Sequence, residues 1–380
     1  MAKNSKQWVE EILEPAGITI NGSNPWDIRV IKSSFYGGVK RRGPLGLGES
    51  YMCRWWECDR LDEFFYRLLS CDVSGRIGLS LPVVLGFIRA KLFNLQAVKR
   101  AFQVGKKHYD IGNDLFEAML GKTMTYSGGY WKNAGNLDEA QKAKLDLPCR
   151  KVGLQKGQRI LDIGSGWGSF PFFSARDYGV RVVGITVSRE QIEFAQKLCQ
   201  GLPVEFRSQD YRDLNPLAPL KESEKFDHIF SFGMFEHVGK RNYRTFFEIV
   251  KKCLKKNGLF LLHTIGKLKT SDYADPWINK YIFPNGMLPS FQQIASSIEG
   301  LFAIEDVHNF GADYDKTLMA WHENFENSWP KLKDKYGERF HRMWNYYLLS
   351  CAGAFRARVL QLWQIVLSPH GVPGGYKSIR

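Results

Sequence analysis

From residue 159 onward the chain alternates between two polarity patterns. Short apolar runs, such as Ile160, Leu161 and Ile163 or Val182, Val183 and Ile185, are separated by stretches whose apolar residues recur every three or four positions. The runs read as buried strands and the stretches as amphipathic helices. This predicts strands at 159–163, 181–185, 204–206, 226–232 and 259–262. A helix is predicted over 167–178. Ser188 opens the next, with Gln191 placed to complete a capping box. A third has Tyr243, Phe246, Phe247, Val250 and Leu254 on one stripe, with Lys251, Lys252 and Lys255 opposite. Alternating strand and helix imply an α/β fold, a mostly parallel doubly wound sheet with right-handed crossovers. Ligands of such sheets lie beyond the carboxyl ends of the strands, where Thr186, Asp210, Glu236 and His263 fall.

Residues 1–95 read differently, as a small, mainly helical N-terminal domain. Trp8, Ile12 and Leu13 suggest a short amphipathic helix, and Leu61, Phe64, Phe65, Leu68 and Leu69 a longer one. Turns are predicted at Asn21-Gly22 and Asn24-Pro25, with a break at Pro44-Leu-Gly-Leu-Gly48. Composition becomes basic and polar over Lys91–Lys107, which suggests a linker at 96–109 and a catalytic domain at 110–380. The most apolar stretch, Leu79–Phe93, is broken by Pro82, Gly86 and Arg89. No run approaches the ~18 residues of a membrane span. The opening Met-Ala-Lys-Asn-Ser-Lys-Gln-Trp lacks the apolar core of a signal peptide, which predicts a cytoplasmic protein. The 7 scattered cysteines fit reduced thiols and no metal site.

The formal charge of +14 implies an anionic partner, either nucleic acid or an acidic membrane surface. The basic residues come in small groups, such as Lys40-Arg41-Arg42, Lys99-Arg100 and Lys106-Lys107. Each alone reads more simply as a solvated face.

The cofactor is indicated by Arg159-Ile-Leu-Asp-Ile-Gly-Ser-Gly-Trp-Gly-Ser169. Gly164, Gly166 and Gly168 turn the chain from the first strand into a helix, where main-chain N–H groups can approach a ligand. A dinucleotide site would have glycine at Ser169 and an acid at the end of the second strand, which instead reads Thr186, Val187, Ser188. NAD therefore fits poorly. The D-x-G-x-G-x-G turn resembles S-adenosylmethionine (SAM) methyltransferases. Predicted SAM contacts are Gly164, Gly166, Thr186, Val187, Gln191, Asp210 and Tyr211, with Tyr126 and Ser127 closing over the ligand. Gln191 could equally serve only as a helix cap.

Other segments are more specific. Gly46-Leu-Gly-Glu-Ser-Tyr51, Trp55-Trp56-Glu-Cys-Asp59, Lys107-His-Tyr-Asp-Ile-Gly-Asn-Asp-Leu-Phe116, Met234-Phe-Glu-His-Val-Gly239, Leu262-His-Thr-Ile-Gly266, Trp277-Ile-Asn-Lys-Tyr-Ile-Phe-Pro-Asn-Gly286 and Cys351-Ala-Gly-Ala-Phe-Arg-Ala357 together resemble the bacterial cyclopropane fatty acid synthase family over nearly the whole chain. The resemblance implies a class I SAM-dependent methyltransferase fold. It also implies methylene transfer from SAM to the cis double bond of an acyl chain in a membrane phospholipid. A cation forms, the new methyl loses a proton, and the ring closes. The base implied is a bound bicarbonate, held by Glu236, His263, Tyr314 and backbone N–H groups near Gly128 and Ile265. The family further suggests a homodimer acting peripherally on the inner face of an anionic membrane.

The chemistry agrees with that implication. An alkene is a weak nucleophile, so the sulfonium must be held in line and dry. A developing cation favours π faces, and 14% of the residues are aromatic. Glu236 would share a proton with the anion or orient it, because two bare anions repel. Gly128 stands where the family often has cysteine, which removes any nucleophilic role for that position. Cys351, in a predicted aromatic-rich helix, is a candidate catalytic thiol or a small buried hydrophobe. His263 alone would read as a core histidine, Glu236 as a cap and Tyr314 as a turn residue; together they read as a site. A nucleic-acid methyltransferase is disfavoured, because Gly233-Met-Phe-Glu-His237 replaces the Pro-Pro motif of amino-methylating enzymes. A lipid methyltransferase that stops at a methyl branch is the nearer rival.

Overall fold

The computed structural model describes residues 4–71, 112–214, 220–271 and 274–380. Their described parts form two compact units. One comprises Met1–Asn94, Ser271–Gly286 and Tyr314–Leu360; the other comprises Leu95–Thr270, Met287–Asp313 and Gln361–Arg380. The N-terminal segment thus shares its unit with later segments, which are far away in sequence. The predicted linker 96–109, the stretch Leu79–Phe93 and the basic pairs at 99–100 and 106–107 lie outside the described residues.

In the first unit, helices α1 (Ser5–Leu13) and α3 (Leu61–Ser70) form where apolar spacing predicts helix, and α2 (Ser34–Met52), which that spacing does not predict, lies between them in sequence. The break expected at Pro44–Gly48 falls instead at Gly43, whose φ of 53° kinks α2; Pro44 then opens a fresh turn, where its missing N–H costs nothing. A Cβ on Gly353 would come within 2.6 Å of the Asp62 carbonyl oxygen, so α3 and the long helix over Glu338–Arg356 approach backbone to backbone. Arg356 closes this contact by pairing with Asp62, Glu63 and Asp315. Burial alone would raise the Asp62 carboxyl, but Arg60 and Arg356 hold it down to about 2.

The second unit holds α4 (Asn113–Leu120), α5 (Leu137–Lys151) and a seven-stranded sheet. Its strands are β1 (Arg159–Ile163), β2 (Arg181–Thr186), β3 (Val204–Ser208), β4 (Phe226–Phe232), β5 (Leu254–Lys267), β6 (Ala303–Asn309) and β7 (Leu360–Ser368). The spatial order is β3-β2-β1-β4-β5-β7-β6. The β3–β2, β2–β1, β1–β4 and β4–β5 pairs are parallel and β6–β7 is antiparallel. The chain reverses direction of travel across the sheet between β1 and β4, which creates the switch point.

Both faces of the sheet are covered, as the continuous apolar runs require. Leu161, Ile163, Val183 and Ile185 pack with Phe246 and Phe247 of α8 (Tyr243–Cys253) and Ile294 of α10 (Phe291–Ile298). Ile160 and Val182 point the other way, toward Leu145 and Cys149 of α5 and Phe170 and Phe173 of α6 (Ser169–Tyr178). Helix α7 (Arg189–Leu198) follows β2, and α9 (Pro276–Tyr281) belongs to the first unit, as does α12 (Glu338–Arg356). Helix α11 spans Ala312–Tyr336.

Several boundaries differ from expectation. Helix α6 starts at Ser169 because Gly168 has φ 87°, which leaves Trp167 in the turn. Leu254, expected on the α8 stripe, takes extended angles and begins β5. The capping box at Ser188 is only half formed. The Ser188 hydroxyl accepts from the Gln191 N–H, but the Gln191 side chain turns to Thr186.

Candidate active site

The glycine turn after β1 is built by backbone hydrogen bonds. The N–H groups of Gly164 and Ser165 both donate to the Ile185 carbonyl, at 2.9 and 3.0 Å, so they brace the turn against β2. Gly164, Gly166 and Gly168 all have positive φ, at 87°, 54° and 87°. A Cβ at Gly164 would lie 2.6 Å from Met234 Cβ, whereas one at Gly166 would meet no described atom within 4 Å. The turn is therefore tight behind and open in front, a cradle that suits a ligand approaching Gly166.

Beside it, at the ends of β2 and β3, the predicted cofactor residues are largely paired. Thr186 donates its hydroxyl to Gln191 Oε1 at 2.9 Å. The buried Asp210 carboxylate accepts from the Arg212 backbone N–H and from Nε and Nη2, at 2.7–2.9 Å. The Gln209 N–H donates to the Thr186 carbonyl and ties the two ends together. Val187, the next residue after Thr186, is half-buried. Burial pushes the Tyr211 hydroxyl up to about 12, and that oxygen has no hydrogen-bond partner among the described residues.

The ends of β4 and β5 are different. Glu236 sits on a single helical turn, Phe235–His237, anchored by Phe235 stacked on Tyr243 at 4.3 Å. Its carbonyl accepts from the Met287 N–H. Oε1 accepts from the Ile265 N–H at 2.7 Å. Ile265, expected to donate to the anion, thus fixes the carboxyl instead. Oε2 is buried and has no partner among the described residues. Burial raises the Glu236 carboxyl to about 7, against the lowering pull of the Ile265 N–H and the Thr264 hydroxyl.

His263, two residues before Ile265 on β5, is buried beside Phe232, its register partner on β4, with ring centroids 5.6 Å apart. Burial drives its pKa well below the usual histidine range, and the nearby charges of Lys144 and Lys151 act in the same direction. The imidazole is neutral at physiological pH. Gln364 Nε2 lies 3.5 Å from Nδ1, while Nε2 is buried without a partner among the described residues. A donor at Nδ1 places the ring proton on Nε2. With its proton on, Glu236 would be a buried donor beside an Nε2–H imidazole, a set that fits a small oxyanion.

Tyr126 packs edge-on against Phe116 at 5.3 Å, and Ser127 and Gly128 are buried in the loop before α5. Tyr314 and Cys351 belong to the first unit. Tyr314 lies in the first turn of α11, buried against Phe355 and Trp321. Burial raises the Cys351 thiol to about 12, with the Asp275 charge adding to the rise, so this sulfur is no thiolate.

Among the buried polar side chains of the second unit that sequence reasoning missed are Gln141 and Lys144 on α5, and Gln364 on β7. Lys144 Nζ lies 4.5 Å above the Phe232 ring. Burial lowers Lys144 and raises Asp162 of β1, and each restrains the other's shift. No periodicity marks Gln141 or Lys144, because α5 mixes polar and apolar residues along its length.

The chain matches known proteins along most of its length. Residues 96–365 match the family described as mycolic acid cyclopropane synthetase. The chain is 55% identical over 370 residues to the cyclopropane-fatty-acyl-phospholipid synthase of Escherichia coli K12, covering 97% of this chain and 94% of that one. A cyclopropane synthase from Mycobacterium tuberculosis superposes with a TM-score of 0.65 at 29% identity, covering 70% of this chain and 97% of its own. A mycolic acid cyclopropane synthase in complex with SAH and CTAB gives 0.64 at 30% identity, with the same coverage, 70% and 97%.

Proposed function

Because the chain belongs to the mycolic acid cyclopropane synthetase family of SAM-dependent methyltransferases, we propose that it converts cis double bonds of phospholipid acyl chains into cyclopropanes, using a bound bicarbonate as base. Its fold is that of the class I SAM-dependent methyltransferases. When bound, SAM supplies the electrophilic methyl and bicarbonate the base for the proton which that methyl loses before the ring closes. The residues supply the rest. Gly166 leaves room for the cofactor while Gly164 holds the tight turn behind it, and Thr186, Val187, Gln191, Asp210 and Tyr211 line the strand ends beside it. Tyr126 and Ser127 cover it. Glu236 Oε2 and His263 Nε2 hold the anion through their protons, with Gly128 N–H as a backbone donor. Phe232 and the neighbouring rings keep the region dry.

The observation that carries this reading is the pair of buried, unpartnered polar atoms on Glu236 and His263. A buried polar atom with no partner costs about 1–3 kcal/mol, so its persistence suits a ligand. The test is turnover in carbon-dioxide-depleted buffer with bicarbonate added back. The reading expects a fall on depletion and full recovery. Activity indifferent to bicarbonate would contradict it.

We place the protein as a homodimer on the inner, anionic face of a membrane. The charge of +14 supports the membrane part of this placement, since each Lys or Arg near such a surface contributes about 1 kcal/mol; the homodimer is what the family resemblance implies. Among the described residues no helix is long and apolar enough to cross a membrane. Vesicle sedimentation should show binding that rises with anionic lipid and falls with salt. Binding blind to lipid charge would remove the charge from the explanation.

A further inference from the structure

Helix α5 grips the loop that precedes it at three points. Gln141, fully buried, donates from Nε2 to the Ser127 carbonyl oxygen at 2.8 Å. The Tyr130 N–H donates to the Ala140 carbonyl at 2.9 Å. Between them, Gly129 lies so close to the helix that a Cβ there would stand 3.0 Å from Ala140 Cβ. The Trp131 N–H donates to Asp313 Oδ2 at 2.8 Å and fixes the far end of the loop.

The Ser127 carbonyl belongs to the same peptide unit as the Gly128 N–H. That unit is planar and trans, so its C=O and N–H point in opposite directions. Holding the oxygen toward α5 therefore aims the Gly128 N–H away from α5. Burying an amide side chain is unfavourable unless it is hydrogen-bonded, and Gln141 Oε1 has no partner among the described residues. Among the described residues its side chain makes one hydrogen bond, the one to Ser127. An apolar residue would fill the same space without that cost. We infer that Gln141 is a positioning residue for the base site: by holding the Ser127 carbonyl it sets the direction of the Gly128 N–H toward the bound anion. This rests on the bicarbonate reading above.

The test compares the bicarbonate concentration for half-maximal turnover with SAM affinity. Gln141→Met keeps the length of the side chain and removes both polar atoms, a change a buried site tolerates. Half-saturation by bicarbonate should rise about ten-fold, the effect of losing one well-placed hydrogen bond, while SAM affinity stays within about two-fold. Gln141→Asn keeps an amide too short to reach Ser127 and should behave like Gln141→Met. Gln141→Glu can donate to the carbonyl only when protonated. Its activity relative to wild type at the same pH should therefore climb as pH falls, while the Gln141→Met ratio stays flat. Wild-type bicarbonate dependence in Gln141→Met or Gln141→Asn would overturn the inference, as would a flat Gln141→Glu ratio. If the wild-type protein itself ignores bicarbonate, the base reading fails first and this inference falls with it.

Discussion

At the ends of β2 and β3 the polar side chains answer one another. Thr186 pairs with Gln191 and Asp210 with Arg212; the Tyr211 hydroxyl stands outside the pairing. At the ends of β4 and β5, a short distance along the same sheet edge, Glu236 Oε2 and His263 Nε2 are buried without partners, and burial moves both groups far from their usual pKa. The first arrangement makes a stable surface whose groups already have definite orientations. The second leaves buried donors poised for a ligand, which is where shifted pKa values gather. On the function proposed above, one edge of a single sheet carries two kinds of site, one organised for binding by mutual hydrogen bonds and the other tuned for proton handling by desolvation.

The contrast breaks most sharply at the base site. Glu236→Gln or His263→Ala should lower turnover by about 100-fold or more, the scale of general acid–base assistance, with SAM affinity nearly unchanged. Calorimetric SAM titration beside kinetics checks the split; a loss of SAM affinity equal to the loss of turnover would erase the distinction between the two clusters.

On the cofactor side the effect should be smaller and of the opposite kind. Gln191→Met removes the partner of Thr186 and should weaken SAM binding about ten-fold while leaving kcat at saturating SAM within about two-fold. A kcat defect with normal SAM affinity would reverse the assignment.

The pKa contrast also predicts a stability effect. The folded-state pKa of Glu236, about 7, lies above its usual value of 4.5, so the folded state binds its proton more tightly than the unfolded chain does. The resulting stabilisation is fully present below the unfolded value and is lost as pH rises through about 7. Its size is roughly 3 kcal/mol. Thermal unfolding of wild type should therefore show falling stability between those pH values, and Glu236→Gln should flatten that part of the curve. Parallel curves would mean that Glu236 titrates normally.

The smallest effects concern side chains outside the two clusters. Cys351→Ala and Gly128→Cys should stay within about two-fold, since the Cys351 thiol is protonated and only the backbone of Gly128 is used. A large Cys351→Ala loss in a folded protein would restore the thiol to the mechanism.

The parallel strands were legible in the sequence because strands buried on both faces are written as continuous apolar runs, and the glycine turn because its angles exclude other residues. Strands β6 and β7 were not foreseen. Ala303–Asn309 mixes exposed Ile304 and Val307 with charged residues, and its antiparallel partner lies more than fifty residues later. The interleaving of the two units was hidden for the same reason, since it depends on pairings remote in sequence. Glu236, His263, Thr186 and Asp210 could be placed because strand ends follow from strand positions. Gln141 and Lys144 could not, because a polar residue buried by its tertiary surroundings looks like any other polar residue of an exposed helix. Gln191 shows the limit at a single residue. Its backbone follows the capping rule while its side chain leaves for Thr186, a choice between two nearby hydroxyls that sequence spacing does not decide.

The most direct test of the whole account is the product. The protein is incubated with vesicles of unsaturated phospholipid and methyl-labelled SAM, and the fatty esters are analysed by mass and proton resonance. The account predicts one labelled CH2 added per double bond, loss of the vinylic protons and appearance of cyclopropane ring protons. A labelled methyl branch or exocyclic methylene, or no labelled lipid at all, would contradict it.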